Sequence, residues 1–224
     1  MKTPCMILLL LFVIGFILWI IPLLIGRRKL IKKEVQETLL TFDDGPSAVT
    51  EELLKVLDQC QCRACFFLLG EEMVKRREVV QKILNHGHAV GIHGYSHKHP
   101  LKMFFWDQKK DLERAYQVFL DQGIPVSYYR APHGAYTWAS LLFCKKHDLD
   151  IVHWTGLVGD WKLEQEETLL QRLLDLSGPG HVLVLHDGSK GTANPLCKMR
   201  IPHLVLRLHE ALKDTSAPLG RWEE

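Results

Sequence analysis

From residue 38 onward, apolar runs of strand length alternate with runs of helix length, and no other feature narrows the possible folds of this chain as far. Residues 38–42, 64–69, 88–92, 126–129, 149–154 and 182–185 are short apolar runs that read as buried strands. Between and after them, 49–60, 71–85, 106–120, 137–147, 163–176 and 201–212 read as helices, with Leu53, Leu54 and Leu57 at helical spacing. Strand–helix alternation over this length implies a parallel sheet, open or closed into a barrel. Asp43, Asp44, His93, Arg130 and His186 fall at or just past strand ends, and Asp160 lies in a loop on the same side. In a parallel barrel the C-terminal strand ends form one face, where active sites are built. The pattern predicts that residues far apart in sequence converge on one mouth.

Ahead of this α/β region, residues 5–26 form one uninterrupted apolar stretch, with Trp19 and Pro22 near its far end. About 20 such residues span a bilayer as a helix. A long apolar core without a small-x-small site favours an uncleaved anchor over a signal peptide. Arg27, Arg28, Lys29, Lys32 and Lys33 follow as a basic stop at an anionic surface. The expected organisation is a membrane anchor with basic flank over 1–33 and a catalytic domain over 34–224, a single-pass membrane protein. The positive-inside rule would keep the domain cytoplasmic. A net charge of +2 offers no field for nucleic acid.

Thr41-Phe42-Asp43-Asp44-Gly45-Pro46 places adjacent carboxylates at a strand end. Side by side they repel, and a metal on one with a proton-transfer role for the other is an economical arrangement. Asp-Gly and Gly-Pro also make ordinary turns. His93 and His97 are four apart and can share a cation. With Asp44 they make a two-histidine, one-carboxylate set suited to catalytic zinc, and equally to non-haem iron or cobalt. His186 at the mouth of a buried strand is a candidate general acid. Arg130 is placed to hold a carboxylate by a bidentate pair, and Asp160 to orient an imidazole. His86, His88 and His99 read as surface or packing residues.

Cys60, Cys62, Cys65, Cys144 and Cys197 are an odd number beyond the apolar stretch and cannot all pair. They read as small core or helix-end thiols. Phe104, Phe105, Trp106 and Trp138 read as sugar platforms, packing residues or membrane-surface contacts.

In order and spacing, these residues resemble the polysaccharide deacetylase family (carbohydrate esterase family 4, the NodB-homology domain) over roughly 38–212. Residues 41–46 match its first motif, Gly91-Ile92-His93-Gly94-Tyr95-Ser96-His97 the second, 130–134 the third, Asp160-Trp161 the fourth and Val184-Leu185-His186-Asp187 the fifth. The resemblance implies a distorted parallel (β/α) barrel and metal-dependent hydrolysis of N-acetyl, or on some glycans O-acetyl, groups. It implies that Asp44, His93 and His97 hold one divalent metal, zinc or cobalt. Asp43 would take a proton from the attacking water, with Arg130 orienting it. His186 would protonate the leaving amine, with Asp160 tuning it. The His133 backbone N–H would stabilise the oxyanion, and Trp161 and Val184 would line the acetyl pocket. Implied partners are an acetylated amino-sugar glycan of a cell wall or surface, or a lipid-linked amino sugar at the membrane. Family habit places the domain outside, against the basic flank. An inert glycan-binding protein and a non-haem iron oxygenase are the other classes, and the Asp43–His186 pair argues against both. The sequence departs from the family pattern at Gly94 (usually Ser or Thr), His133 (frequently Tyr) and Val184 (usually Leu). No clear final strand occurs in 213–224.

Overall fold

The structure is a computed structural model that describes residues 2–28, 35–190 and 193–222. The basic flank past Arg28 and the expected boundary at 33/34 lie outside the described residues. An N-terminal helix runs through α1 (Lys2–Gly15), a π-helical turn (Phe16–Ile20) and α2 (Ile21–Gly26). Then follow β1 (Leu39–Asp43), α3 (Thr50–Gln59), β2 (Cys65–Leu68), α4 (Gly70–Lys75), α5 (Arg77–Asn85) and β3 (Ala89–Ile92). After these come α6 (Phe105–Asp121), β4 (Tyr128–Tyr129), α7 (Trp138–His147), β5 (Asp150–Ile151), β6 (Gly156–Leu157), α8 (Glu166–Leu176), β7 (Val182–His186) and α9 (Ile201–Leu212).

All strand pairings are parallel, in the order β5-β4-β3-β2-β1-β7-β6. The sheet curls into a half-barrel, and among the described residues its edges β5 and β6 do not pair. Strand periodicity explains both the apolar runs and the position of the site. Leu40, Phe42, Phe66, Leu68, Val90, Ile92, Leu183 and Leu185 pack outward in one core with the helices. Leu39, Cys65, Phe67, Ala89, Tyr128 and Val182 pack inward with Trp222. Both faces are buried, so the strands read as continuous apolar runs. Side chains alternate along a strand. The inward face therefore continues through Thr41 to Asp43 on β1, through Gly91 to His93 past β3, from Tyr128 to Arg130 past β4, and through Val184 to His186 on β7. Among the described residues the expected lack of a final strand holds. Residues 217–222 contribute only the isolated bridges Thr38–Leu219 and Arg63–Arg221. Trp222 meets Tyr128 edge to face at 5.5 Å and fills the lower end.

Several expected boundaries shift. The helix expected over 71–85 is two, because Arg76 leaves helical dihedrals (φ −132°, ψ 49°) and its guanidinium folds back onto Glu72. The strand expected over 149–154 keeps two paired residues. Val152 N–H still reaches Tyr129 C=O at 2.9 Å, and the chain then delivers Trp154 to the cavity wall. β6 carries no apolar run, and Gly156 is suited to it because a Cβ there would lie 2.7 Å from Leu183. Among the described residues no disulfide forms, and the five cysteines past the apolar stretch are all buried.

Among the described residues, one helix is long and apolar enough to cross a membrane, Met6–Gly26, with 21 residues and a mean hydropathy of 3.1. Its far end is bound to the domain. Pro22 has no N–H to give to the preceding turn, and Ile21 N–H bonds Phe16 C=O in the π register. The Ile17 carbonyl, left over by this shift, accepts from the Trp138 indole at 3.0 Å. Gly26 lies against Tyr136, whose ring a Cβ would meet at 2.0 Å. Arg27 Nε donates to Gly134 C=O at 2.7 Å.

His88 is buried, 3% exposed, and its Nδ1 accepts from Ala64 N–H at 3.1 Å. Burial, then the charge of Arg63, push its pKa down to about 4. The unfolded chain binds this proton from about pH 6.5 and the folded chain only near pH 4, so stability falls as pH drops through that window. His88→Asn keeps an acceptor near the same place and removes the titration. Between pH 7 and pH 4 the parent is expected to lose about 3 kcal/mol more than this variant, read by urea unfolding at both pH values.

Candidate active site

Strand register brings the mouth together. Asp43 pairs with His186 across β1 and β7. Ile92 pairs with Tyr129 across β3 and β4, so the next residues, His93 and Arg130, meet. The Arg130 carbonyl accepts from His93 Nδ1 at 2.9 Å. That bond fixes the tautomer and leaves the Nε2 lone pair for the mouth. His93 Nε2 lies 3.5 Å and His97 Nε2 3.0 Å from Asp44 Oδ1. Asp44 (φ 71°) and His97 (φ 55°) both adopt left-handed backbone. Such strain persists where the surrounding structure fixes a functional direction. The glycine at 188 permits it, because a Cβ there would lie 2.1 Å from the Asp44 carbonyl oxygen.

Asp44, His93 and His97 offer ligand atoms within 4.8 Å of one another. Asp44 Oδ1 is buried and accepts no hydrogen bond from the described residues. Burial foremost, with Asp43 nearby, pushes its pKa up to about 6 against the opposing charge of His186. Burial likewise drives His97 down to about 2 and His93 well below its ordinary value. Two neutral imidazoles and a desolvated, unpartnered carboxylate oxygen fit a divalent cation.

Asp43, 2% exposed, is held on one oxygen. Arg130 Nη1 donates to Asp43 Oδ1 at 2.7 Å and to Thr41 Oγ1 at 2.8 Å, while Nε donates to Val152 C=O at 3.0 Å. The expected bidentate pair is therefore a single-nitrogen grip. The guanidinium is turned by the Val152 carbonyl and lies 4.0 Å over the Phe67 ring. Asp43 Oδ2 accepts no hydrogen bond from the described residues and lies 3.8 Å from His93 Nε2. On the other side, Asp160 accepts from His186 twice, Oδ1 from Nδ1 at 2.9 Å and Oδ2 from the backbone N–H at 2.7 Å. Burial alone would lower the His186 pKa, but the charge and hydrogen bond of Asp160, then Asp44 and Asp43, raise it to about 10.

A cavity of about 270 Å³ opens here, lined by Asp43, Asp44, His93, His97, His133, Trp161, Val184 and His186 among others. Arg130 and Asp160 stand behind it, at 0% and 1% exposure. Trp161 meets His186 edge to face at 5.2 Å. His133 (φ 57°) stacks its ring on His99 at 4.7 Å and tilts against His97 at 4.5 Å. His99, expected at the surface or in packing, thus packs behind this rim.

Other contributors carried no signal in the sequence. Trp154, Leu157 and Lys190 also line the cavity. Asp111, on α6, accepts from Tyr95 N–H at 2.9 Å and Ser96 Oγ at 2.7 Å. It braces the loop that lacks a hydroxyl at Gly94, and Gly94 itself sits at φ 84°. Asp187, fully buried, accepts from Thr50 Oγ1 at 2.5 Å and ties the β7 turn to the start of α3.

Residues 31–152 match the family described as polysaccharide deacetylase. A peptidoglycan-N-acetylglucosamine deacetylase of Bacillus cereus is 32% identical over 157 residues, which cover 69% of this chain and 57% of the relative. The chain thus spans little more than half of that protein. A chitooligosaccharide deacetylase of Bradyrhizobium sp. is 31% identical over 155 residues, covering 66% of this chain and 69% of the relative. Among solved structures, the Bc1960 peptidoglycan N-acetylglucosamine deacetylase bound to a naphthyl N-oxidanyl-benzamide superposes with a TM-score of 0.76. It is 27% identical, over 86% of this chain and 89% of that one.

Proposed function

This chain belongs to the polysaccharide deacetylase family, and we propose that it is a divalent-metal-dependent hydrolase. It removes N-acetyl groups from an N-acetylglucosamine-containing glycan and is held at a membrane by the helix Met6–Gly26. The observation that carries this reading is the convergence of Asp44, His93 and His97 beside Asp43 and His186 in one cavity.

Asp44, His93 and His97 would hold the cation, zinc or cobalt, and when bound it supplies Lewis-acid polarisation of the acyl oxygen and acidifies water. Asp43 acts as the general base through Oδ2, since Oδ1 is committed to Arg130. Arg130 keeps that carboxylate aimed. The His133 backbone N–H donates to the developing oxyanion. His186 carries a proton on Nε2 for the leaving amine, because Asp160 occupies Nδ1 and holds the imidazolium form. Trp161, Val184 and Leu157 form an apolar pocket for a methyl group and keep water from it.

The test uses the full chain in detergent, stripped by chelator and reloaded with zinc or cobalt, on N-acetylglucosamine oligomers. Acetate release is expected to vanish on chelation and return with metal. Folded, metal-loaded protein that releases no acetate would overturn the simple-glycan reading.

A further inference from the structure

The membrane helix and the rim of the cavity share one surface. The far half of the helix is only partly covered by the domain. Pro22 and Gly26 are buried, while Leu18 and Trp19 remain about half exposed, at 52% and 50%. A groove beside them is lined by Leu18, Trp19, Phe104, Phe105 and Trp138. Phe104 is 83% and Trp106 67% exposed, and solvent-exposed aromatic patches of this kind mark an interaction face. Basic side chains surround it. Lys98, Lys102, Lys110 and Arg114 line the adjoining groove with Phe104, together with Asp107 and Asp111, and Lys109 Nζ lies 5.5 Å over the Trp106 ring. Asp111 is already committed to the His93–His97 loop. The groove therefore keeps an excess of cations beside its aromatic rings.

We propose that this face is a bilayer-docking surface, in which Phe104, Phe105, Trp106 and Trp138 enter the interfacial layer beside Trp19 while Lys98, Lys102 and Lys109 meet anionic headgroups. The inference rests on the anchor reading given above. Its argument is continuity. The helix is too apolar to face water, so lipid covers Leu18 and Trp19, and lipid in contact with them also meets the rings that line the same groove. Aromatic rings belong at that level of a membrane, and cations close to it gain from anionic lipid. The Trp138–Ile17 and Arg27–Gly134 hydrogen bonds hold the arrangement.

The consequence reaches the site. Gly134 follows His133, and residues 98–105 continue directly from His97. The two loops that dock are the two that form this side of the cavity mouth. Docking therefore fixes the mouth close to the bilayer surface and favours an amino sugar carried there by a lipid over a strand of polymer far from the membrane.

The test places p-benzoylphenylalanine at Phe104 or Trp106 of the full chain in nanodiscs containing anionic phosphatidylglycerol, with Leu10 as the positive control and Glu210 on α9 as the negative. Lipid adducts are expected at Phe104, Trp106 and Leu10 and absent at Glu210. Combining Lys98→Glu, Lys102→Glu and Lys109→Glu should lower the Phe104 adduct several-fold and leave that of Leu10 unchanged. Adducts at Leu10 without any at Phe104 or Trp106 overturn the docking face. A protein–protein adduct from Phe104 makes the face an interface between copies and also overturns it. No adduct at Leu10 or Phe104 overturns anchor and docking together. None of these readouts depends on turnover, so failure of the deacetylase reading is seen separately, as absence of acetate.

Discussion

Under the function proposed above, Asp43→Asn is expected to lower kcat by about a hundred- to ten-thousand-fold while the protein still binds a divalent metal. The substitution preserves shape, and the amide oxygen still accepts from Arg130 Nη1, which now lies 2.7 Å from Oδ1. What disappears is the basic lone pair on Oδ2, the oxygen that accepts no hydrogen bond from the described residues. Metal content by atomic absorption and acetate release from the same preparation separate the outcomes. Turnover near the parent's would remove Asp43 from the base role. Lost metal would recast Asp43 as a ligand, since His93 Nε2 is only 3.8 Å from Oδ2. A parent that binds metal and releases no acetyl or other acyl group would point to the inert glycan-binding class.

Arg130→Met is expected to destabilise the metal-free domain by about 3–5 kcal/mol, the largest stability effect at the site. Arg130 is 0% exposed and Asp43 2% exposed. Removing the guanidinium leaves a buried carboxylate without its counter-charge and the Val152 carbonyl without a donor. Methionine fills much of the volume over Phe67, so packing loss stays small. Urea unfolding under chelator measures the difference, and a shift below 1 kcal/mol would mean that water replaces Arg130 at little cost. Bound metal should recover part of the loss, because binding to the folded state alone stabilises it.

The site was legible where its residues end strands. Asp43, His93, Arg130 and His186 sit at even offsets from inward apolar residues on their own strands. Period-two alternation carries them to one face whatever the connections do. The apolar helix ahead of the domain was equally legible, since length and apolarity suffice to mark it. Asp111 was not. It lies in the middle of a charged helix, 17 residues after Gly94, and acts through a loop whose path no local preference dictates. Lys190 and Trp154 reach the cavity from irregular segments and carried no periodic signal. The grip of Arg130 on one oxygen escaped for a related reason, since the Val152 carbonyl that turns the guanidinium lies just past the neighbouring strand β5.

The sequence by itself determined which side chains face inward, which strand ends bear carboxylates and imidazoles, and that an apolar helix precedes them. These follow from run length and from the two fixed periods of backbone structure. Only the tertiary structure decided that Asp44 Oδ1 is left without a partner between two imidazoles, and that Asp111 replaces a missing hydroxyl. It alone showed the helix end bonded to the loops of the cavity mouth. Those outcomes depend on side-chain directions at left-handed or irregular positions, which contacts between distant segments fix and local sequence does not.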